Sequence, residues 1–187
     1  MKIGVPRETK DNEYRVGMTP DGARQLVADG HEVLIEKGAG VGSGFADAAY
    51  AQAGARLVDV EEVFRAPDLV AKVKEPNERE VARLRSGQTL FTYLHLAPNR
   101  SLTESLLAAD VVGLAYETIQ SADGSFPVLA PMSEVAGRLA VQIGVTLLQK
   151  DRGGKGLLVG GVPGVPRGRV TVVGAGVTLF EALKAHE

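Results

Sequence analysis

The chain has 187 residues, 21 basic and 23 acidic side chains, a net charge of −2 and no cysteine. The near-neutral charge argues against a nucleic-acid partner, and the lack of cysteine excludes disulfides, thiolate metal sites and a cysteine nucleophile. The N-terminus has no apolar core of signal-peptide length, and no stretch is apolar enough to span a membrane. We therefore expect a cytoplasmic protein with no membrane partner and no metal site.

Short β-type runs alternate with helical patterns through the first two thirds of the chain. Strands are predicted at 2–5, 31–36, 68–73, 89–94 and 111–116, and helices at 19–30, 45–54, 78–85 and 101–109. The alternation predicts an α/β fold, a Rossmann-like or flavodoxin-like, mostly parallel sheet covered by helices. Ligands bind beyond the carboxyl ends of strands in such sheets. The residues that follow strands are therefore the first site candidates, namely Glu8, Lys74, His95 and Glu117.

A longer helix is predicted at 133–150, with Ser133 placed to cap it. Apolar residues recur there at helical spacing, at Val135, Leu139, Ile143 and Leu147. The segment 151–168 is dense in glycine and proline, which predicts a loop or hairpin and a candidate domain boundary. The run RVTVV at 169–173 predicts one more strand.

The sequence GAGVTL begins as G-x-G, with Gly174 and Gly176 directly after this predicted strand. A complete dinucleotide-binding fingerprint needs a third glycine or alanine at the position of Leu179, and then a helix and a further strand with an acidic end. By itself this segment is a weak and incomplete signal for a cofactor site.

His95, in TYLHLAP, ends a predicted strand. It is open to two interpretations, a satisfied strand-end histidine or an acid/base that works near neutral pH. In a regular strand, Tyr93 points to the same face.

Two cations lie near the same predicted edge. Pro76 forces the residue before it to be extended, so Lys74 lies near the carboxyl end of its strand. In a regular strand, Lys72 points to the same face as Lys74. Lys74 is either a snorkelling lysine or a cation that holds an anionic substrate. Arg15 is either a surface arginine or a bidentate clamp for a carboxylate. Arginine, lysine and histidine from three loops would suit a small 2-oxo acid.

Six motifs together resemble the alanine dehydrogenase and pyridine nucleotide transhydrogenase family. They are IGVPRETKDNEYRVGMTPDG, AKVKEP, TYLHLAPN, AYETIQ, PMSEVAGRLAVQIG and GGVPGVPRGRVTVVGAG. The resemblance runs from residue 1 to about residue 177. The transhydrogenase α subunit shares the opening pattern but usually lacks TYLHL and the GGVPGV run, which favours alanine dehydrogenase.

The resemblance implies a two-domain enzyme, usually a homo-oligomer, that uses NAD to interconvert L-alanine with pyruvate and ammonia by hydride transfer. Arg15 and Lys74 resemble ligands of the substrate carboxylate and carbonyl. His95 resembles the catalytic acid/base, which acts beside Lys74. Tyr93 and Glu117 resemble residues of the pocket wall.

The resemblance also implies residues on the cofactor side. Met132 and Ser133 resemble residues that face the nicotinamide, and Gly174 and Gly176 resemble the start of the phosphate-binding turn.

The implied organisation has three parts. These are a substrate domain at 1–130, a long helix with a Gly/Pro-rich connection at 131–168, and a vestigial start of the NAD-binding domain with a short helical tail at 169–187. The tail TLFEALKAHE resembles the start of the family's returning helix, so we expect most of the NAD domain to be missing and the chain alone to be inactive. Two alternatives stay open: a non-catalytic module that binds small 2-oxo acids or a full-length partner, and a transhydrogenase α-type domain.

Overall fold

The computed structural model describes residues 1–174 and 176 and divides into two units, Met1–Ile119 and a second that begins at Gln120. The first unit contains the strands β1 (Lys2–Val5), β2 (Glu32–Glu36), β3 (Arg56–Val58), β4 (Leu69–Ala71), β5 (Thr89–Thr92) and β6 (Val112–Ala115). All neighbours pair in parallel, in the order β3-β2-β1-β4-β5-β6. This is the strand order of a doubly wound, Rossmann-type sheet, which confirms the predicted fold class.

Helices cover both faces of this sheet. They are α1 (Pro20–Ala28), α2 (Asp47–Gln52), α3 (Val60–Arg65), α4 (Glu78–Val81) and α5 (Arg100–Ala108). Successive side chains of a strand point to opposite faces. Val33 and Ile35 of β2 therefore pack with Tyr50 of α2, whereas Leu34 packs with Phe64 of α3.

Side-chain caps set the helix starts. Thr19 accepts a hydrogen bond from the N–H of Gly22 at 3.2 Å and begins α1, as predicted. Asp59 caps α3 in the same way. The sequence pattern predicts no element at 56–65, where β3 and α3 lie, because both are too short to show a clear periodicity.

The second unit contains the helix α6 (Ala130–Leu147). The expectation that Ser133 caps it is wrong, because the helix begins earlier, after Leu129. Pro131 suits its first turn, and the Ser133 N–H donates to the Leu129 carbonyl at 3.2 Å. All four residues of the apolar stripe predicted on this helix are exposed, namely Val135, Leu139, Ile143 and Leu147.

The remaining described chain is mostly irregular. Val162 and Val165 form an antiparallel bridge within the predicted loop or hairpin at 151–168. The strand predicted at 169–173 is not formed. A strand needs a hydrogen-bonded neighbour, whereas Val170 and Val172 instead line an apolar pocket beside α6. The predicted helical tail lies outside the described residues.

None of the helices in the described part of the chain is both long enough and apolar enough to cross a membrane.

Candidate functional site

The strand order reverses between β1 and β4, and loops that leave a sheet at such a point diverge to open a crevice. Arg15 lies in the loop after β1 and Lys74 in the segment after β4. Tyr93 and His95 follow β5, and Glu117 lies in a short 3₁₀ turn after β6. Because all six strands are parallel, these five residues share the carboxyl edge of the sheet.

Arg15 forms an ion pair with Glu13, a residue that the sequence patterns do not single out. Its Nε lies 2.8 Å from Glu13 Oε1 and its terminal nitrogen lies 2.6 Å from Glu13 Oε2, a bidentate pair. The hydrogen bond from Arg15 is the main reason why the pKa of Glu13 is lowered, and the charge of Lys74 contributes. Arg15 also interacts electrostatically with Tyr93. The charges of the two predicted cations, Arg15 and Lys74, therefore both act on one carboxylate, that of Glu13.

The backbone at Lys74 is fixed from two sides. The Thr92 hydroxyl donates to the Lys74 carbonyl at 2.9 Å, which ties this segment to β5. Glu8, which follows β1, accepts hydrogen bonds from the backbone N–H groups of Val73, at 2.6 Å, and of Lys74. The half-buried Lys74 side chain thus projects from an immobilised backbone.

Lys72 has a different environment from Lys74. Its ammonium is buried between Glu80, at 2.9 Å, and Glu8, at 3.4 Å. Burial raises the pKa of Glu8, and the charge of Lys72 and the hydrogen bonds from Val73 and Lys74 oppose that rise only in part. Lys72, Glu8 and Glu80 thus form a buried ionic cluster at this edge of the sheet. Of the two lysines, Lys72 is buried and Lys74 is accessible to a ligand.

His95 has a backbone conformation that is uncommon for residues other than glycine, with φ at 47°. Glu117 Oε1 accepts hydrogen bonds from the N–H of His95, at 2.8 Å, and from that of Leu94, at 3.1 Å. The ring Nδ1 lies 3.1 Å from Glu75 Oε2. The Tyr93 ring stacks on the imidazole at 5.7 Å with a 21° interplanar angle. Glu117, expected as pocket wall, therefore contacts the histidine backbone, and Glu75 is a partner that the sequence reasoning missed.

Aromatic rings form the wall next to this histidine. Tyr116 packs edge-on against Phe91 at 4.4 Å and against Tyr93 at 5.0 Å. Burial is the largest cause that raises the pKa of both Tyr116 and Tyr93. Both phenols are therefore neutral at physiological pH, and they give the site a wall without charge.

The residues expected on the cofactor side belong to the second unit. Met132 is exposed and Ser133 half-buried, both in α6. Gly174 and Gly176 are exposed and belong to no helix or strand. A Cβ added at Gly176 would meet no atom within 4 Å. The described residues therefore do not form the strand, turn and helix that hold a dinucleotide phosphate.

Comparisons with known proteins extend over almost the whole chain. A family model described as Alanine dehydrogenase/PNT, N-terminal domain, matches residues 4–136, and one described as Alanine dehydrogenase/PNT, C-terminal domain, matches residues 140–186. An alanine dehydrogenase from Halomonas elongata is 56% identical over 178 residues, which are 95% of this chain and 48% of that relative. An alanine dehydrogenase from Mycobacterium tuberculosis is 52% identical over 185 residues, or 98% and 50% of the two chains.

Two solved structures are similar as well. An L-alanine dehydrogenase, 48% identical, superposes with a TM-score of 0.92 over 100% of this chain and 52% of its own. A transhydrogenase from Sinorhizobium meliloti, 27% identical, gives a TM-score of 0.70 over 75% and 43% of the two chains. The chain spans about half the length of the curated relatives it matches. With one family model matching most of its residues, it belongs to the alanine dehydrogenase/PNT family.

Proposed function

We propose that the first unit is the substrate-binding part of an NAD-dependent alanine dehydrogenase, which interconverts L-alanine with pyruvate and ammonia. The observation that carries this proposal is the grouping of Arg15, Lys74 and His95 at one edge of a parallel sheet, linked through Glu13 and Tyr93. Two cations beside a histidine match the carboxylate, the carbonyl and the proton transfer of a 2-oxo acid reaction.

In this proposal each side chain has one role. The Arg15 guanidinium takes the substrate carboxylate in place of Glu13. The Lys74 ammonium donates a hydrogen bond to the carbonyl oxygen of pyruvate. His95 accepts or returns the proton that moves when the bond between carbon and nitrogen is broken or made. Tyr93 and Tyr116 exclude water from one side of the substrate.

NAD is the cofactor that the family resemblance implies, and it would accept the hydride. In the same proposal, Met132 and Ser133 face its nicotinamide, and Gly174 and Gly176 begin its phosphate turn. Because the chain spans about half the length of the alanine dehydrogenases it matches, we expect these 187 residues alone to convert alanine and NAD no faster than background. Orienting two reactants contributes effective molarities on the order of 10⁵ M or more, and this contribution is lost when the cofactor is not held beside the substrate. The absorbance of NADH, followed with the purified chain, measures the rate.

Location and assembly are parts of the same proposal. We propose action in the cytoplasm, on a small-molecule substrate. We also propose self-association into a homo-oligomer, supported by the exposed apolar side chains of Val135, Leu139 and Ile143 on α6. Sedimentation of the chain over a range of concentrations tests it, and a monomer at every concentration contradicts it.

Substrate binding is testable without turnover. We expect oxamate, an analogue of pyruvate, to bind with a Kd on the order of 1 mM, equivalent to about −4.1 kcal/mol, and more weakly as salt is added. Chemical shifts should change around Arg15, Lys74 and His95. The Arg15→Ala variant should lose this binding. Arg24→Ala, which removes an exposed arginine of α1 that pairs with Asp21, is the matched control. Equal binding by wild type and Arg15→Ala would contradict the proposal.

A further inference from the structure

Two carboxylates hold His95, one at its backbone and one at its ring. Glu117 accepts the N–H groups of Leu94 and His95, and its second oxygen lies 3.3 Å from the Leu94 nitrogen. Glu75 reaches Nδ1 of the ring and also pairs with Lys10. The two carboxylates come from different segments of the chain, one after β4 and one after β6.

The contact with Glu75 determines where the imidazole proton lies. Burial raises the pKa of Glu75, but hydrogen bonds from Lys10 and His95 outweigh burial and leave it lowered. An ionised carboxylate has only acceptors, so the nitrogen that faces it must carry a hydrogen. In a neutral ring with a hydrogen on Nδ1, Nε2 has the free lone pair.

The contact with Glu117 accounts for the backbone. A φ of 47° lies in the left-handed region, which a residue with a Cβ adopts unfavourably. Two adjacent N–H groups that point at one carboxylate stabilise such a turn, because charge-assisted hydrogen bonds are stronger than neutral ones. Among the described residues, Glu117 is the acceptor for the N–H groups of both Leu94 and His95.

We propose that Glu75 and Glu117 are positioning residues for His95: Glu75 fixes the tautomer with the hydrogen on Nδ1, and Glu117 fixes the turn that aims the ring. Nε2 is then the atom that accepts and returns protons. The stacked Tyr93 ring sets the plane of the imidazole. The catalytic meaning of this arrangement rests on the proposed function, but the arrangement itself is measurable without substrate.

The tautomer is read by long-range proton–nitrogen NMR on the whole chain with ¹⁵N-labelled histidine, at a pH where imidazole is neutral. His95→Gln assigns the signal, since the sequence has two other histidines, His31 and His186. A histidine side chain free in water prefers the hydrogen on Nε2, whereas the contact with Glu75 should give a majority with the hydrogen on Nδ1. A majority with the hydrogen on Nε2 would overturn the assignment to Glu75.

Variants separate this effect from a general loss of surface charge. In Glu75→Gln the amide can accept from Nδ1 or donate to it, so the preference for the hydrogen on Nδ1 should fall toward the tautomer ratio of a histidine side chain free in water. Lys10→Met is the matched control, because it removes the other partner of Glu75 and keeps the contact with the ring; its tautomer should remain that of wild type. An unchanged tautomer in Glu75→Gln would also overturn the proposal.

The role of Glu117 has its own measurement. Glu117→Gln keeps one oxygen acceptor but no charge, so hydrogen exchange at the amides of Leu94 and His95 should become faster by about tenfold. The amide of Val33 in β2 is the internal reference and should not change. Unaltered exchange at Leu94 and His95 would overturn this part. Neither measurement uses oxamate or NAD, so failure of the oxamate titration and failure of this proposal are distinguishable.

Discussion

The ammonium of Lys72 lies 2.9 Å from Glu80 Oε1, and both side chains are almost completely buried. Glu80 also accepts the backbone N–H of Asn77 at 2.9 Å, in the capping box that begins α4. Glu8 completes the cluster on the side of β1. One buried cation therefore joins the two loops between which the strand order reverses, and these are the loops that present Arg15 and Lys74.

Removing this cation should destabilise the fold strongly. Lys72→Ala leaves two buried carboxylates without a counter-charge, and breaking a buried pair in this way lowers the free energy of unfolding by about 3–5 kcal/mol. Urea denaturation measures the change. Lys2→Ala is the control, because Lys2 pairs with Glu32 at the surface and exposed pairs contribute about 0–1 kcal/mol.

A neutral version of the cluster should recover much of that stability. In the triple variant Lys72→Met, Glu8→Gln and Glu80→Gln no buried charge remains, and the amide oxygens still accept the backbone N–H groups. Replacing a complete buried ion cluster by neutral groups is often close to neutral for stability. If the triple variant were no more stable than Lys72→Ala, unpaired charge would not be the cause of the loss.

Glu8 should give the folded chain a distinct pH dependence. The pKa of Glu8 in the folded chain is raised above the ordinary value of 4.5. At a pH between 4.5 and this raised pKa, the folded state therefore binds more protons than the unfolded state. The free energy of unfolding then falls as pH rises through this window. The stabilisation that Glu8 contributes is fully present below pH 4.5 and is lost above the pKa of Glu8 in the folded state.

The measurement compares wild type with Glu8→Gln in urea at a series of pH values. The stability of wild type relative to this variant should decrease as pH rises from 4.5. Glu104→Gln, which removes an exposed carboxylate paired with Arg100, controls for the loss of one negative charge. A relative stability that increased with pH would contradict the assigned direction.

The fold was predictable because its signals are local and repeated. Alternating β-type and helical runs predict a parallel sheet, and Thr19 and Gly30 mark the ends of α1 in the sequence itself. The wrong predictions concern segments whose structure depends on neighbours. The run at 169–173 has strand composition but no strand partner among the described residues, and Ser133 is a good cap at a position where the helix had already begun.

The sequence predicted the candidate residues of the site but not most of the contacts between them. Arg15, Lys74 and His95 stand out because strand ends and the family motifs point to them. Glu117 stands out for the same reasons, but its contact with His95 does not, and Glu75 was missed altogether, because these contacts cross 22 and 20 residues. No residue spacing encodes such a contact.

The left-handed backbone of His95 predicts an unusual set of substitution effects. Since glycine adopts positive φ without a steric penalty, His95→Gly should be at least as stable as wild type, although it removes the proposed acid/base. His95→Val should lose about 1–3 kcal/mol, because a β-branched residue is strained there. Thr89→Gly, at an extended position in β5, is the matched control and should be destabilised by about 0.5–1 kcal/mol. A destabilised His95→Gly alongside a stable His95→Val would contradict the conformation.

The pairing of Arg15 with Glu13 predicts a variant that binds substrate more tightly. Glu13 occupies the edge of the Arg15 guanidinium that is formed by Nε and a terminal nitrogen, which is the edge that the proposed function assigns to the substrate carboxylate. Its lowered pKa keeps Glu13 ionised at neutral pH. Glu13→Gln removes this competing charge, so the affinity for oxamate should rise by up to about fivefold, in line with the 0.2–1 kcal/mol of a partly exposed ion pair.

The same NMR titration, run at neutral pH on wild type and Glu13→Gln, measures that rise. Glu104→Gln removes a carboxylate from another arginine pair, that of Arg100, and should leave the affinity for oxamate unchanged. Because the competition is between two carboxylates for one guanidinium, added salt should narrow the difference between wild type and Glu13→Gln. Weaker binding of oxamate by Glu13→Gln would mean that Glu13 orients Arg15 for the substrate rather than competing with it.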